Sequence, residues 1–332
     1  MKKRLAALGL MAAAALALAG CTDSAAGPTA EPSDSADAGG GTTEEIRDVR
    51  VAALPIAESG ALWAAIDEGI FEEYGLNVEV VPAQGGAQAI PALLSGDIDF
   101  AIGQPFGPIR ADLQDLGVVI FSNYASSLAD GEDVNGVVAL GDAGIAGPAD
   151  LAGKRVAVNS LGAAGDLTIR KAVDDAGGDS STIEFVEVAF PDAQAQLEAG
   201  NIDAAWVPDP FRGIVVGGGG VEVVAPYQAT IPGLTVLTNF TTQAKIDEDP
   251  ELVADYAAAM ADALEFASQN EDAVRAAIAT NLEIPEEAAA GIVLPDFTAD
   301  LGSAGVEELA ALAVEYGYID AEPDFSRLIQ QQ

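Results

Sequence analysis

The order of predicted elements indicates an α/β protein whose sheets are mostly parallel, with helices on both faces. Apolar, β-branched runs alternate with amphipathic stretches through both halves of the 332-residue chain, a pattern typical of right-handed strand–helix–strand units. A unit of helix, glycine, strand and Pro-containing loop also occurs twice. Polar or Pro/Gly sequence follows the strands, at the edge where open parallel sheets bind ligands.

The first 45 residues are predicted to lie outside the fold. Residues 1–20 join a basic start, MKKR, to an apolar stretch too short for a membrane span, which is typical of an export signal. The following LAGC resembles the bacterial lipobox and predicts lipidation of Cys21; an ordinary signal peptide with a chance cysteine is the alternative. Residues 21–45 lack large apolar side chains and predict a disordered tether.

The folded part is predicted to begin with a strand near Val49 and a helix after Ser59, which suits an N-cap. A second strand near residues 76–81 precedes a helix that contains Pro91. Because proline suits the first turn, we expect this helix to begin just before Pro91. Gly96 then suits a C-cap before a short buried strand.

The middle of the chain continues the alternation, with strands predicted at 136–140, 154–159, 183–190 and 202–208. The segment VEVVAPYQATIPGLTVLTNF interrupts it and predicts a crossing between two lobes. The remainder is predicted to be helical, with Asp249 as a cap and Pro250 in the first position of a long helix.

The internal repeat supports two similar lobes. LLSGDIDFAIGQPF (93–106) and LEAGNIDAAWVPDPF (197–211) share one layout, and their isoleucines, Ile98 and Ile202, are 104 positions apart. This period is far too long for a solenoid of short repeats.

Composition excludes several classes of function. The chain has no histidine and one cysteine, so an intrachain disulfide and the usual ligands of zinc and haem are missing. A net charge of −39 argues against nucleic acid and anionic lipid heads as partners. We find no phosphate-binding or nucleophile motif and no calcium loop, and we expect neither a metal nor a cofactor.

The loops at the strand ends are the candidate binding elements. Helix N-termini there present free N–H groups and a positive dipole end, which suit an anion without needing lysine. Each loop taken alone is equally well explained as an ordinary turn. Six of them on two similar lobes favour a shared cleft.

Several stretches resemble the substrate-binding proteins of ABC importers, in the group that takes up sulfonates, taurine, nitrate or thiamine-precursor pyrimidines. They are IDEGIFEEYGLNVEV, LLSGDIDFAIGQP, DLAGKRVAVNSLGAAG and VAFPDAQAQLEAGNIDAAWVPDPF. The resemblance runs from about residue 46 to about residue 330. It implies a two-lobed type II periplasmic-binding-protein fold, with residues 46–138 and 236–332 in lobe 1, residues 139–235 in lobe 2, and a hinged cleft between them.

The resemblance also implies where the ligand binds. The implied contacts are Pro55, Glu58, Ser59, Gln84, Gly85, Gln104, Phe106, Asn159, Ser160, Gly162, Asp209 and Phe211. Asp209 stands where relatives often have glutamate. Trp63, Phe106 and Phe211 could stack on a flat ligand or belong to the core, and Arg170 and Arg212 could pair with an anion or balance nearby acids.

The function implied is capture of a small organic anion or heterocycle outside the cytoplasm and its delivery to an ABC permease. We expect a non-enzymatic monomer held to the outer face of the cell membrane by its lipid alone. One alternative is an enzyme like the pyrimidine synthases of the thiamine-precursor group, which use a histidine and iron. Another is a sensory ligand-binding protein.

Overall fold

The structure, a computed structural model, describes residues 46–302 and 304–330. The export signal, the lipidated cysteine and the tether predicted for residues 1–45 lie outside the described residues.

The described residues form two β-sheets flanked by helices. The strands are β1 (Arg47–Ala53), β2 (Leu76–Pro82), β3 (Phe100–Gly103), β4 (Val118–Ser126), β5 (Asn135–Ala139), β6 (Arg155–Val158), β7 (Glu184–Glu187), β8 (Ala204–Pro208), β9 (Val221–Val224), β10 (Thr235–Thr242) and β11 (Asp296–Phe297). The helices of the first half are α1 (Gly60–Asp67), α2 (Ile70–Glu73), α3 (Gly86–Ser95), α4 (Phe106–Asp112), α5 (Ala164–Asp175), α6 (Ala193–Glu198) and α7 (Phe211–Gly217). The remaining helices are α8 (Pro226–Thr230), α9 (Gln243–Glu248), α10 (Pro250–Gln269), α11 (Glu271–Asn281), α12 (Glu286–Ala290), α13 (Ala304–Glu315) and α14 (Phe325–Leu328), and 3-10 turns occupy Ala57–Ser59, Pro148–Leu151, Ser180–Thr182 and Phe190–Asp192.

The two sheets have the same topology. The first has the order β2-β1-β3-β10-β4-β11 and the second the order β7-β6-β8-β5-β9. In each, three parallel strands are followed by one antiparallel strand, β10 or β5, and then by a strand that runs with the first three. The predicted α/β class is confirmed, and the antiparallel strands are the ones next to the crossings between the lobes.

The internal repeat occupies equivalent places in the two sheets. Gly96 ends the helical region before β3 with a φ of 76°, and Gly200 precedes β8 with a φ of 67°. Both backbones are left-handed, which glycine adopts without a Cβ clash. Each strand then leads through proline into a helix that begins at phenylalanine, Phe106 in α4 and Phe211 in α7.

The lobe boundary differs from the predicted division between residues 138 and 139. That division falls inside β5, which pairs over Asn135–Val138 with β8 in the second sheet. The chain therefore leaves the first sheet after β4 and has joined the second by Asn135. It returns before Thr235, where β10 begins.

Two local predictions are corrected by the structure. Helix α3 begins at Gly86, so Pro91 lies inside the helix and not in its first turn. Ser59 does precede α1, but its hydroxyl donates to the Leu54 carbonyl at 2.6 Å and makes no capping bond. The predicted cap of α10 is confirmed, because the Asp249 carboxylate accepts from the Leu252 N–H at 3.0 Å.

The core of the first lobe lies between its sheet and the helices α1, α10 and α11. Tyr256 of α10 stacks on Phe100 of β3, with ring centroids 3.8 Å apart, and also contacts Phe71 and Phe121. Trp63 is buried in the same core. This packing fixes β1 and β3, and the loops that follow their carboxyl ends contain cleft residues such as Glu58 and Gln104.

Candidate functional site

A cleft lies where the strand ends of the two sheets face each other. Its walls combine loops after β1, β2 and β3 of the first lobe with loops after β6, β7 and β8 of the second. The lining residues are Leu54, Ile56, Glu58, Gly85, Gly86, Ala87, Gln88, Gln104, Phe106, Gly107, Arg110, Asn135, Asn159, Ser160, Leu161, Gly162, Ala163, Phe190, Trp206, Pro208, Val236 and Leu237. Parallel strands of both lobes thus present their carboxyl ends to one shared space.

Three aromatic side chains form much of the apolar wall. Phe106 comes from the first lobe, and Phe190 and Trp206 come from the second. The Phe190 and Trp206 rings meet edge to face at 5.7 Å, and the indole N–H of Trp206 donates to Asn135 Oδ1 at 2.8 Å. These rings are therefore held in fixed orientations, which suits contact with a flat ligand.

Glu58 is the acid of this cleft. It lies in the turn after β1 and is only 3 % exposed, and its Oε2 has no hydrogen-bond partner among the described residues. Burial is the main reason that the pKa of Glu58 rises to about 8; a hydrogen bond from its own backbone N–H opposes the rise, the charges of Asp209 and Asp133 favour it, and Arg212 opposes it. At neutral pH the side chain is consequently a carboxylic acid in most molecules.

The N-terminus of α3 comes close to the end of β3. Gly86 and Gly103 are in backbone contact, and a Cβ at Gly86 would lie 3.1 Å from the Gln104 N–H nitrogen. Only residues without side chains permit this approach. It brings the first turn of the ten-residue helix α3, with Gly85 before it, to the floor of the cleft.

The N-terminus of α5 is already occupied by the chain's own carboxylate. Asp166 accepts from the N–H groups of Gly162 at 2.8 Å and Ala163 at 2.7 Å. Burial raises the pKa of Asp166, while these bonds oppose the rise. These two N–H groups of the loop before α5 are therefore not free, and an anion bound at this end of the helix would face the Asp166 carboxyl group.

Arg110 is the cationic residue among those that line the cleft. Its guanidinium lies over the Phe106 ring, 5.0 Å from the centroid, and donates to the Tyr318 carbonyl at 3.3 Å. It also lies beside Gly162 of the second lobe, where a Cβ would be 2.9 Å from Nη2. Arg110 thus closes one side of the cleft between the lobes.

Hydrogen bonds join the lobes around the cleft. Gln104 Nε2 donates to the Tyr227 hydroxyl at 2.6 Å, and Asn159 Nδ2 donates to the Gln84 carbonyl at 3.0 Å. At the back, the Ala57 N–H donates to the Asp209 carbonyl at 3.1 Å. The structure therefore has the two lobes in contact on both sides of the shared space.

The predicted site residues fall into three groups. The cleft is lined by Glu58, Gly85, Gln104, Phe106, Asn159, Ser160 and Gly162. A neighbouring depression, which also includes Phe190 and Asn159, is lined by Pro55, Gln84 and Phe211. Neither space is lined by Ser59 or Asp209.

Asp209 and the two predicted arginines have other partners. The Asp209 carboxylate is 3.0 Å from Arg212 in a buried ion pair, and Arg212 also contacts Glu222 at 3.2 Å. Arg170 lies outside the cleft, where it donates to the Tyr318 hydroxyl and the Ser180 carbonyl. Arg212 thus balances two acids, and Arg170 binds a tyrosine hydroxyl and a backbone carbonyl.

The predicted contacts did not include Arg110, Phe190, Asn135 and Trp206, which line the cleft. Arg110 lies inside α4, Phe190 begins a 3-10 turn, and Asn135 and Trp206 lie in strands. Trp206 could have been found from the repeat, because it lies close to the end of the second copy's strand.

Within residues 46–302 and 304–330, no group of three or more acids, histidines or cysteines is arranged to hold a metal ion. None of the helices found there is long and apolar enough to cross a membrane.

Comparison with known proteins gives relatives of one fold. A formylaminopyrimidine-binding protein of Halalkalibacterium halodurans is 25 % identical over 230 residues, 68 % of each chain. The alkanesulfonate-binding protein SsuA from Xanthomonas axonopodis pv. citri, bound to MOPS, superposes with a TM-score of 0.72 at 16 % identity, covering 87 % of this chain and 99 % of the other. The desulfurization enzyme DSZB superposes with a TM-score of 0.64 at 18 % identity, covering 84 % and 95 %.

The two structural neighbours support the periplasmic-binding-protein type of fold implied by the sequence resemblance. A binding protein and an enzyme share it, so the fold alone does not choose between binding and catalysis. The family model described as NMT1/THI5 like matches residues 57–274, about two thirds of the chain, which include every strand except β1 and β11 and most of the residues that line the cleft. This chain belongs to the NMT1/THI5-like family.

Proposed function

We propose that the protein is the solute-binding component of an ABC importer and that it captures a small ligand between its two lobes. The observation that carries this proposal is the shared cleft, built from equivalent strand ends of two similar sheets and joined across by hydrogen bonds on both sides. A ligand that contacts both lobes favours the closed arrangement, which a permease can distinguish from the open one.

Among the ligand classes predicted from the sequence, we propose a pyrimidine or a similar amino-substituted heterocycle. Three rings in fixed orientations suit a flat molecule. The Asp166 carboxyl group disfavours a sulfonate or nitrate near the start of α5, where it accepts from the N–H groups of Gly162 and Ala163. The name of the Halalkalibacterium halodurans relative agrees with this choice.

We further propose that the chain is exported, lipidated at Cys21 and held as a monomer at the outer face of the membrane, in contact with the permease. The basic start, the apolar stretch and LAGC support export and lipidation. Labelling cells with a radioactive fatty acid tests this: the wild-type chain should be labelled and Cys21→Ser should not. Label on both variants, or on neither, would contradict lipidation at Cys21.

We propose that the ligand leaves unchanged. The enzymatic alternative considered from the sequence relies on a histidine and iron, and the chain has no histidine. Mass spectrometry of the ligand after long incubation with the protein should return only the starting mass. If a molar excess of ligand over protein were converted into product, the protein would turn over and a purely binding role would be contradicted.

Calorimetry with the full chain tests the ligand class. Formylaminopyrimidine should bind at a 1:1 ratio, and taurine, ethanesulfonate and nitrate should bind at least about 100-fold more weakly. Trp206→Leu should weaken pyrimidine binding about tenfold or more through lost ring contact, whereas Phe266→Leu, on α10 outside the cleft, should not. Tight binding of a sulfonate or nitrate alone would contradict the pyrimidine class, and binding of none of the panel would contradict it as well.

A further inference from the structure

Glu58 is a buried acid of the cleft, and one of its two carboxyl oxygens has no hydrogen-bond partner among the described residues. Its Oε2 faces no donor among the described residues, although the side chain lines the cleft. The turn that carries it is fixed, because the Ala57 N–H donates to the Asp209 carbonyl of the other lobe and the Ser59 hydroxyl donates to the Leu54 carbonyl. The carboxyl group is therefore held in place for something other than a contact within the protein.

The groups around Glu58 do not neutralise it. Asp133 and Asp209 are like charges, and Arg212 is bound to Asp209 and to the Asp133 carbonyl. Two phenols lie nearby, Tyr124, which accepts from the Leu62 N–H, and Tyr227, which accepts from Gln104, but neither hydroxyl is within hydrogen-bond distance of Glu58 Oε2. With this environment the carboxyl group keeps its proton at neutral pH and offers one donor and one acceptor side by side.

An amino-substituted heterocycle offers the complementary edge. Its amino group is a donor, and the neighbouring ring nitrogen is an acceptor. A protonated carboxyl group can donate its O–H to the ring nitrogen while its other oxygen accepts from the amino N–H. A sulfonate or nitrate offers acceptors only, so it would leave the second carboxyl oxygen facing a lone pair.

We propose that Glu58 determines the specificity of the cleft by forming two parallel hydrogen bonds with the amino edge of a heterocyclic ligand, and that the pair shares one proton. This inference rests on the proposed pyrimidine class and deepens it. No bond to carbon forms or breaks, and the proton stays between the carboxyl oxygen and the ring nitrogen.

The shared proton makes binding depend on pH in a definite direction. Below pH 8 the free protein carries the proton on Glu58, and the pair forms without proton uptake. Above pH 8 the free side chain loses it, and binding must take a proton from water. Affinity should then fall by nearly tenfold for each further pH unit.

Calorimetry of the full chain with formylaminopyrimidine between pH 6.5 and 9.5 tests this pairing. Wild-type affinity should be nearly constant to about pH 8 and then fall. Glu58→Gln keeps one donor and one acceptor in the same places but does not titrate, so it should bind within severalfold of wild type at pH 7 and show no fall at high pH. Glu58→Ala should bind about 100-fold more weakly, because both hydrogen bonds are lost.

Glu222→Gln is the matched control. Glu222 is a second acid whose pKa is raised by burial, but it lies beside Arg212 outside the cleft. This variant should keep the wild-type pH profile. Pyrimidine binding with no fall up to pH 9.5, or a Glu58→Gln variant as weak as Glu58→Ala, would overturn the shared proton while leaving the proposed ligand class intact. Failure of the wild-type protein to bind the pyrimidine at any pH would overturn both.

Discussion

Asp99 and Asp203 make the same hydrogen bond in the two lobes. The Asp99 carboxylate accepts from the Arg50 N–H at 2.9 Å, and the Asp203 carboxylate accepts from the Arg155 N–H at 2.8 Å. In both cases the aspartate N–H returns a bond to the arginine carbonyl, at 2.9 Å for Asp99 and 2.8 Å for Asp203. The repeated (D/N)ID sequence therefore joins the third strand of each sheet to the first, before either strand reaches the cleft.

This shared bond predicts a stability cost when either aspartate is removed. Asp99→Ala should lower the free energy of unfolding by about 2 kcal/mol, because its bond to Lys245 at 2.7 Å is lost as well. Asp203→Ala, in a more exposed ion pair, should cost about 1 kcal/mol. Urea unfolding measures both. Asp142→Ala removes an exposed acid whose side chain makes no hydrogen bond within the described residues, so it should leave the free energy of unfolding unchanged. An equal loss of stability in all three variants would contradict a specific role for Asp99 and Asp203.

The Asp203 contribution should also depend on pH. The Arg155 N–H, together with the nearby guanidinium, lowers the pKa of Asp203. Its stabilisation is therefore complete above the unfolded pKa of about 3.9 and is lost as the pH falls through the lower folded value. The gap between wild type and Asp203→Ala should narrow as the pH falls below about 3.9. A gap that persists unchanged at pH 2.5 would show that the charge is not its source.

The backbone contact between α3 and β3 predicts that Gly103 cannot carry a side chain. A Cβ there would overlap Gly86, and neither backbone can move without displacing the first turn of α3. Gly103→Ala should therefore lower stability by about 2 kcal/mol and ligand affinity about tenfold. Gly147→Ala is the control, because its φ is −162° and a Cβ there has nothing within 4 Å. Wild-type affinity in Gly103→Ala would mean that the position of α3 does not matter for the ligand.

A further contact between the lobes lies away from the cleft and involves the C-terminal segment. The Tyr316 hydroxyl donates to Asp174 at the end of α5 at 2.9 Å, and Arg170 of the same helix donates to the Tyr318 hydroxyl at 3.0 Å. The same segment later returns to the first lobe, where Ile329 pairs with Ile120. These two tyrosines thus connect the first lobe to α5 away from the cleft.

Loss of this connection should weaken ligand binding without touching the cleft. Tyr316→Phe is expected to raise Kd two- to tenfold, the cost of one partly exposed hydrogen bond that favours the closed form. Calorimetry measures Kd, and small-angle scattering measures opening. Tyr74→Phe is the matched control, because the Tyr74 hydroxyl also donates to an acid, Asp262, but within the first lobe. Equal Kd values in the two variants would contradict a closing role.

The sequence was informative wherever a local pattern decides the structure. Alternating elements and repeated strand ends predicted the α/β class. The contact residues came from the family resemblance, and seven of them line the cleft. The sequence could not predict partners that depend on packing between distant segments. Arg212 donates to the Asp133 carbonyl from a different element, and Arg110 of the first lobe lies against Gly162 of the second. The antiparallel directions of β5 and β10 were not predicted for the same reason, since strand direction depends on how the crossings join the lobes.

Glu58 should also control how stability varies with pH in the absence of ligand. Burial raises its folded pKa to about 8, while the unfolded value is near 4.3. Between these values the native state binds more protons than the unfolded state, so this group lowers stability as the pH rises from about 4.5 to 8 and adds nothing further above 8. Glu58→Gln cannot lose a proton, so it should gain several kcal/mol relative to wild type at pH 8 and little at pH 5. Urea unfolding at the two pH values measures the difference, with Glu68→Gln as an exposed control. If Glu58→Gln follows the wild-type pH dependence, as Glu68→Gln should, then the cleft acid is ionised in the free protein and its pKa is not raised.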